Sequence, residues 1–264
     1  MSARAGAMQL DEVYDDRYRK GYRERLSGYE IARYRALEHF IPPLLRDTTP
    51  PLKVLDYGSG SGLYIELQRA LFPGSDLYFC DISSVALEKL GETYPEYRSQ
   101  CAPVSENRAQ FDADSFDVVL SIEVMEHVED LHAYLRDIRR LLKEGGVFLW
   151  TTPCGNPFSI EHIFSYLTGQ IEPTGEGFRR WKWEDPTHVR RLQSGEIADI
   201  LTRSGFHHPE IKFRSHFFSF FCTYLFRIPW PGIRERLMCL DYALFRNFEN
   251  GASMIGAARK ASLP

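Results

Sequence analysis

The chain has 264 residues, 44% hydrophobic and 26% charged, which excludes wholesale disorder and leaves an ample core. At roughly 150 residues per domain, that length suits one large α/β unit with insertions. With 32 basic against 36 acidic residues the net charge is −4, which argues against a dedicated nucleic-acid binder.

The opening MSARAGAMQLDEVY contains no apolar run of signal length. The greasiest stretch, 217–228, is too short to span a bilayer, which needs ~20 apolar residues. Five widely spaced cysteines without a C-x-x-C pair exclude a disulfide framework and a cysteine-built zinc site, and suit a reducing compartment. These features predict a cytoplasmic chain that at most rests on a membrane surface.

Residues 11–46 read as helical, with Tyr14, Tyr18 and Tyr22 on one face. Pro42-Pro43 and Pro50-Pro51 end that region. Alternating strands and helices follow: strand 53–58, helix 65–72, strand 76–83, helix 84–94, strand 116–124 and helix 127–142. Gly145-Gly146 stops the last of these and introduces strand 146–153. Residues 154–190 read as an irregular insertion. A helix at 194–204 closed by Gly205, a strand near 210–218, an aromatic-rich insertion at 219–250 and a last strand at 251–260 complete the chain. This rhythm predicts an α/β fold with a mostly parallel, doubly wound sheet. A helical cap spans 1–48 and the main domain 49–264.

The most informative stretch is Val54-Leu55-Asp56-Tyr57-Gly58-Ser59-Gly60-Ser61-Gly62. Glycines between a strand and a helix let the backbone turn sharply and approach a ligand. A dinucleotide fingerprint would need glycine at 63, where the chain has Leu63. Asp56 would repel a pyrophosphate but hold an ammonium. Asp81, at the end of the second strand, is placed to bind a ribose diol. The ligand inferred is a nucleoside with a cationic amino-acid tail.

Asp56-x-Gly58-x-Gly60-x-Gly62, Asp81, the segment SFDVVLSIEVMEHV and the Gly145-Gly146 turn, in that order, resemble a class I S-adenosylmethionine-dependent methyltransferase. The resemblance is close over roughly 50–155. It implies a Rossmann-like, seven-stranded sheet with an antiparallel last strand, and S-adenosylmethionine as methyl donor. It implies that Gly58 and Gly60 pass under the methionine portion while Asp56 anchors its amino group. Asp81 would bind the ribose and Ile82 would flank the adenine. The family often has an aspartate after its third strand; here the region reads Pro103-Val104-Ser105-Glu106-Asn107-Arg108, so Glu106 or Asn107 would serve.

Glu123, Glu126 and His127 stand at i, i+3 and i+4 in EVMEHVED, at the carboxyl end of a central strand. Two chemical readings stay open. His127 is a general base oriented by Glu126, with His188 contributing. Alternatively Glu123, Glu126, His127 and His188 hold a divalent metal such as Mg²⁺, with Zn²⁺ or Fe²⁺ admitted by the imidazoles. A third reading is structural, with Glu126 and His127 opening a helix and Glu123 beside the cofactor. E-x-x-E-H here resembles both ubiquinone-pathway O-methyltransferases and small-RNA 2′-O-methyltransferases.

The acceptor should be selected by parts outside the common fold: the tyrosine helix, the 154–190 insertion and the stretch 216–232. Phenylalanines 217, 218, 220, 221 and 226 line a pocket, touch a membrane or form a lid. Arg17, Arg19, Lys20, Arg23 and Arg25 form a solvated face or greet an anionic substrate. The reading is methyl transfer to a small-molecule or lipid-like acceptor, at oxygen. A metal-assisted RNA 2′-O-methyltransferase and a cofactor-binding scaffold without turnover are the alternatives.

Overall fold

A computed structural model describes residues 10–22, 26–46, 48–222 and 226–261. Arg23 and Arg25, and residues 223–225 of the aromatic stretch, lie outside the described residues.

The predicted first helix is two. α1 (Leu10–Arg19) ends well before α2 (Gly28–Leu44), which Ser27 and Glu30 open with a reciprocal capping box. Pro42 and Pro43 lie inside the last turn of α2 rather than before its end. The alternation then follows as β1 (Lys53–Tyr57), α3 (Ile65–Leu71), β2 (Asp76–Asp81) and α4 (Ser84–Thr93). Two strands that the sequence reading did not delimit come next, β3 (Cys101–Ser105) and β4 (Arg108–Ala109). β5 (Phe116–Ile122) is central.

α5 (Leu131–Leu141) starts later than residue 127, because Asp130 caps it through Ala133 N–H. The segment between β5 and α5 is therefore a loop. β6 (Leu142–Pro153) begins before the glycine pair, which sits inside it where its register with β5 shifts.

The insertions are structured. Residues 154–190 contain α6 (Ile160–Leu167) and a small hairpin, β7 (Ile171–Pro173) with β8 (Arg179–Trp181). After α7 (Ser194–Arg203), β9 occupies Phe206–Arg214, earlier than expected. The second insertion holds a short turn, α8 (Phe218–Phe220), and a full helix, α9 (Pro231–Phe245). β10 (Ser253–Lys260) ends the fold.

The main sheet has the order β4-β3-β2-β1-β5-β6-β10-β9. It holds eight strands rather than seven, because the two-residue β4 folds back antiparallel on β3. β10 runs antiparallel to both β6 and β9, as expected for the last strand. The sheet is buried on both faces. Along β5, Val119 joins Leu55, Phe148 and Trp150 on one side, while Val118 and Leu120 join Ile65 and Leu149 on the other.

Gly256 marks the tightest point of this packing. A Cβ there would overlap the indole ring of Trp150, a fully buried side chain. Gly256→Ala should cost at least about 1–3 kcal/mol through overpacking. A lower urea midpoint checks this, and an unchanged midpoint would contradict it.

Candidate active site

Open α/β sheets bind ligands beyond the carboxyl ends of their strands. Here that edge collects Asp56 from β1, Asp81 from β2 and the loop after β5. The glycine loop follows β1, and its three glycines all have positive φ. Backbone N–H groups of Gly58 and Ser59 donate to the Cys80 carbonyl at 2.8 and 3.0 Å, tying the loop to β2. Gly60 N–H donates to Asp81 Oδ2 at 2.8 Å, and Ser83 N–H donates to Asp81 Oδ1 at 2.8 Å. Asp81 thus braces the loop and keeps lone pairs for a ligand hydroxyl.

Asp56, Gly58 and Gly60 line one cleft with Tyr18, Tyr64 and Ile122. Gly62 does not line it; its backbone packs against Ile65 and Leu90 instead. Gly60 has positive φ, and a Cβ there would displace the Tyr18 hydroxyl, so both the backbone and its neighbour favour glycine. Asp56 is buried and accepts a hydrogen bond from Gln68 Nε2. Burial pushes its pKa up to about 7, against the Gln68 hydrogen bond and with help from Asp81. Burial likewise raises Asp81 to about 6, opposed by its backbone donors. One buried carboxylate in the cleft, Asp56, with Asp81 behind the glycine loop that lines it, makes the cleft receptive to a cation.

Ile82 follows Asp81 and is 39% exposed. Glu106 and Asn107 form the turn between β3 and β4, both with positive φ and both exposed. The cleft lining does not include them. The reason is local: the antiparallel β3–β4 hairpin spends this pair on its tight turn.

The tyrosine-bearing α1 closes the cleft. Arg17 forms a fork with Asp185 at 2.8 and 2.7 Å, so it is neither a solvated cation nor a substrate handle. Asp15 accepts from Ser83 Oγ at 2.6 Å at the start of α4, and Lys89 Nζ donates to the Tyr18 carbonyl at 2.6 Å. Arg17 holds Asp185 well below the usual carboxylate range, overcoming its partial burial.

The Glu-Glu-His triplet does not act as one helical face. Glu123 has φ +55° and turns away. Its Oε1 accepts from Thr151 Oγ1 at 2.8 Å and its Oε2 pairs with Arg33 at 2.8 Å, both partners buried. Glu126, His127 and His188 do meet, with one donor atom from each lying within 4.8 Å of the others. The four-residue set expected from the sequence is therefore three, because Arg33 occupies Glu123. Glu126 Oε2 accepts from Thr152 Oγ1 at 3.1 Å, whereas its Oε1 is buried without a hydrogen-bond partner. Burial raises the Glu126 pKa, and Glu123 adds to the rise. His188 is held above its usual value; burial opposes this, but Glu184 and Glu126 outweigh it.

His127 Nε2 lies 3.9 Å from Glu126 Oε1, and its Nδ1 lies 3.0 Å from Thr187 Oγ1. Thr187 Oγ1 gives its only proton to Asp185 at 2.7 Å. It therefore accepts from His127 Nδ1–H, which places the neutral imidazole's lone pair on Nε2. Gln68, Arg33, Asp185 and Thr187 were not singled out from the sequence as site residues. None carries a motif, and each reaches the site only through the fold.

Comparison with known proteins bears on the family and the fold. Residues 29–208 match a family model described as a methyltransferase domain. A ubiquinone biosynthesis O-methyltransferase of Cereibacter sphaeroides is 37% identical over 172 residues, covering 61% of this chain and 64% of that protein. One from Neisseria meningitidis is 29% identical over 155 residues, covering 56% and 65%. The matches thus span just under two thirds of those relatives' own length. Among solved structures, the CurJ carbon methyltransferase superposes with a TM-score of 0.58 at 17% identity, over 96% of this chain and 59% of that one. Phosphoethanolamine N-methyltransferase 2 of Haemonchus contortus, solved with S-adenosylhomocysteine, gives 0.58 at 17%, over 96% and 58%. These neighbours share the fold. The chain belongs to the methyltransferase domain family, and its fold is that of the class I S-adenosylmethionine-dependent methyltransferases.

Proposed function

We propose that the chain methylates an oxygen of a small-molecule or lipid-like acceptor, with His127 as general base. The observation that carries this reading is the Asp185–Thr187–His127 chain, which sets the basic nitrogen of a buried imidazole. The O-methyltransferase relatives support oxygen as the acceptor atom.

Asp56 would hold the donor's ammonium and Asp81 its ribose, which would present the methyl group to the acceptor. Methyl transfer is an in-line displacement, and alignment with exclusion of water can supply roughly 7–11 kcal/mol. The acceptor hydroxyl loses its proton to His127 Nε2 as the oxygen attacks the methyl carbon. When bound, S-adenosylmethionine would supply the methyl group and depart as a neutral thioether that keeps the electron pair of the broken bond. Glu126, beside Nε2, stabilises the imidazolium that forms.

The same cluster supports a second reading. Glu126 Oε1 is an orphaned buried acceptor, and one carboxylate with two imidazoles fits a divalent ion. With Glu123 withdrawn the donors are nitrogen-rich, which suits Zn²⁺, Mn²⁺ or Fe²⁺ better than Mg²⁺. A metal held by Glu126, His127 and His188 would lower the pKa of a bound acceptor hydroxyl.

Incubation with methyl-labelled cofactor and cell extract, with and without chelator, tests both. A labelled ether whose yield survives chelation supports the base; loss on chelation supports the metal. Label on nitrogen or carbon would overturn oxygen as the acceptor atom. Thr187→Val should lower kcat about tenfold or more, a part of the ~10²–10⁴ that a general base contributes. Cofactor KM should stay unchanged, and Thr187→Ser should restore the rate. An unaltered kcat in Thr187→Val would contradict the chain.

A lipid-like acceptor is supported by exposed Phe226 and Trp230 in 216–232, continued along α9 by Ile233, Leu240 and Leu244. Phe217 packs edge-on against Phe245 at 5.2 Å, so part of the stretch is a hydrophobic cover. Among the described residues no helix is long and apolar enough to cross a membrane. Sedimentation with anionic lipid vesicles should be lost in Phe226→Ser/Trp230→Ser; equal binding would count against membrane contact.

A further inference from the structure

The ligand edge of the sheet carries acids at Asp56, Asp81 and Glu126, and a cationic group at its far end. β6 and β9 both run antiparallel to β10, so they run parallel to each other. Ser253 of β10 is paired with Pro153, the last residue of β6, and with Arg214, the last residue of β9. Arg214 therefore lies at the same carboxyl edge as the catalytic loop.

Arg33 reaches this place from α2. It pairs with Glu123 and donates from Nη1 to the Tyr64 hydroxyl at 3.0 Å, and Tyr64 lines the cofactor cleft. The Arg33 and Arg214 guanidinium carbons lie 5.1 and 4.9 Å from the centroid of one ring, that of Tyr29. Both arginines are 2% exposed.

The charges do not balance. Glu123 forms its salt bridge with Arg33 and attracts Arg214 only at longer range, so Arg214 has no salt bridge among the described residues. Its Nη2 donates to the Tyr29 carbonyl at 3.3 Å, while its Nη1 is buried without an acceptor, as is Arg33 Nε. A buried cation without a salt-bridge partner is costly, and the two guanidinium groups, both near one ring, repel. The fork of N–H groups on an arginine fits a carboxylate or phosphate, and a ligand anion would remove the imbalance.

We propose that Arg214, supported by Arg33 and Tyr29, is an oxyanion subsite for the acceptor. The molecule methylated carries a carboxylate or phosphate group in addition to its nucleophilic atom. This inference rests on the methyltransferase reading above and adds the acceptor's charge to it. The anion orients the acceptor across the cleft from the sulfonium, and a neutral analogue leaves Arg214 unpaired.

Calorimetric titration of the S-adenosylhomocysteine-loaded protein with benzoate, phenyl phosphate and benzyl alcohol tests this. Wild type should bind at least one of the anions, with the alcohol at least tenfold weaker. The stronger of benzoate and phenyl phosphate identifies the group recognised. Arg214→Met should weaken the anion at least tenfold without changing S-adenosylhomocysteine affinity. Arg214→Lys keeps the charge without the fork, gives an intermediate value, and serves if the methionine variant does not fold. Anions that bind no better than benzyl alcohol, or equally well in the Arg214 variants, would overturn the subsite. Failure of S-adenosylhomocysteine itself to bind would instead strike at the methyltransferase reading.

Discussion

Asp56→Asn should weaken S-adenosylmethionine binding on the order of 10²–10³-fold, as expected when one partner of a buried charge pair is removed. The carboxylate is buried in the cleft beside the glycine loop, and Gln68 already serves one of its oxygens. The amide is isosteric, so the loop should keep its shape.

The pH dependence separates a binding role from a structural one. In the free protein burial pushes the Asp56 pKa up to about 7, well above an ordinary carboxylate. A folded-state value raised for an acid destabilises the free protein progressively as pH climbs from about 4 to 7. Asp56→Asn should therefore be at least as stable as wild type above pH 7. Cofactor binding needs the ionised form, so wild-type affinity should fall as pH drops below about 7, by up to tenfold per unit. The asparagine variant should lose that limb. Calorimetric titration at several pH values, with thermal unfolding of the free protein, reads both. A variant that binds as wild type does would remove Asp56 from the cofactor site.

His127→Ala should lower kcat by roughly 10²–10⁴, the range of a positioned general base. Cofactor affinity should change little, because His127 does not line the cleft beside the glycine loop. A hydroxyl is a poor nucleophile until its proton leaves, so the loss should be greatest at neutral pH and partly recovered at high pH. Single-turnover methylation across pH checks this. A rate within threefold of wild type at neutral pH would contradict the base assignment.

The cofactor half of the site was legible because it is written locally. A strand, Asp56, three alternating glycines and a helix fit within nineteen consecutive residues, and positive φ at those positions favours glycine. The catalytic half was only half legible. Glu126 and His127 were visible, but Asp130 is a better cap than the residues before it, so α5 starts late and the triplet falls on a loop. Glu123 then points to Arg33, a contact from another element that no spacing announces. The partners of His127 and Arg17 lie 60 and 168 residues away in the chain, beyond any local pattern. Glu106 and Asn107 show the converse. Their position fitted an adenine contact, yet a polar pair between short strands is also what a tight turn uses. The aromatic insertion at 219–250 concealed α9, whose core-facing Met238 and Tyr242 pack while Leu240 and Leu244 face outward.

A crystal structure of the protein with S-adenosylhomocysteine tests the account most directly. The amino group should lie within about 2.7–3.2 Å of Asp56, or be joined to it by one bridging water, and the ribose hydroxyls should rest on Asp81. A homocysteine tail seated away from Asp56, or an adenosine outside the cleft under Tyr18, would contradict it.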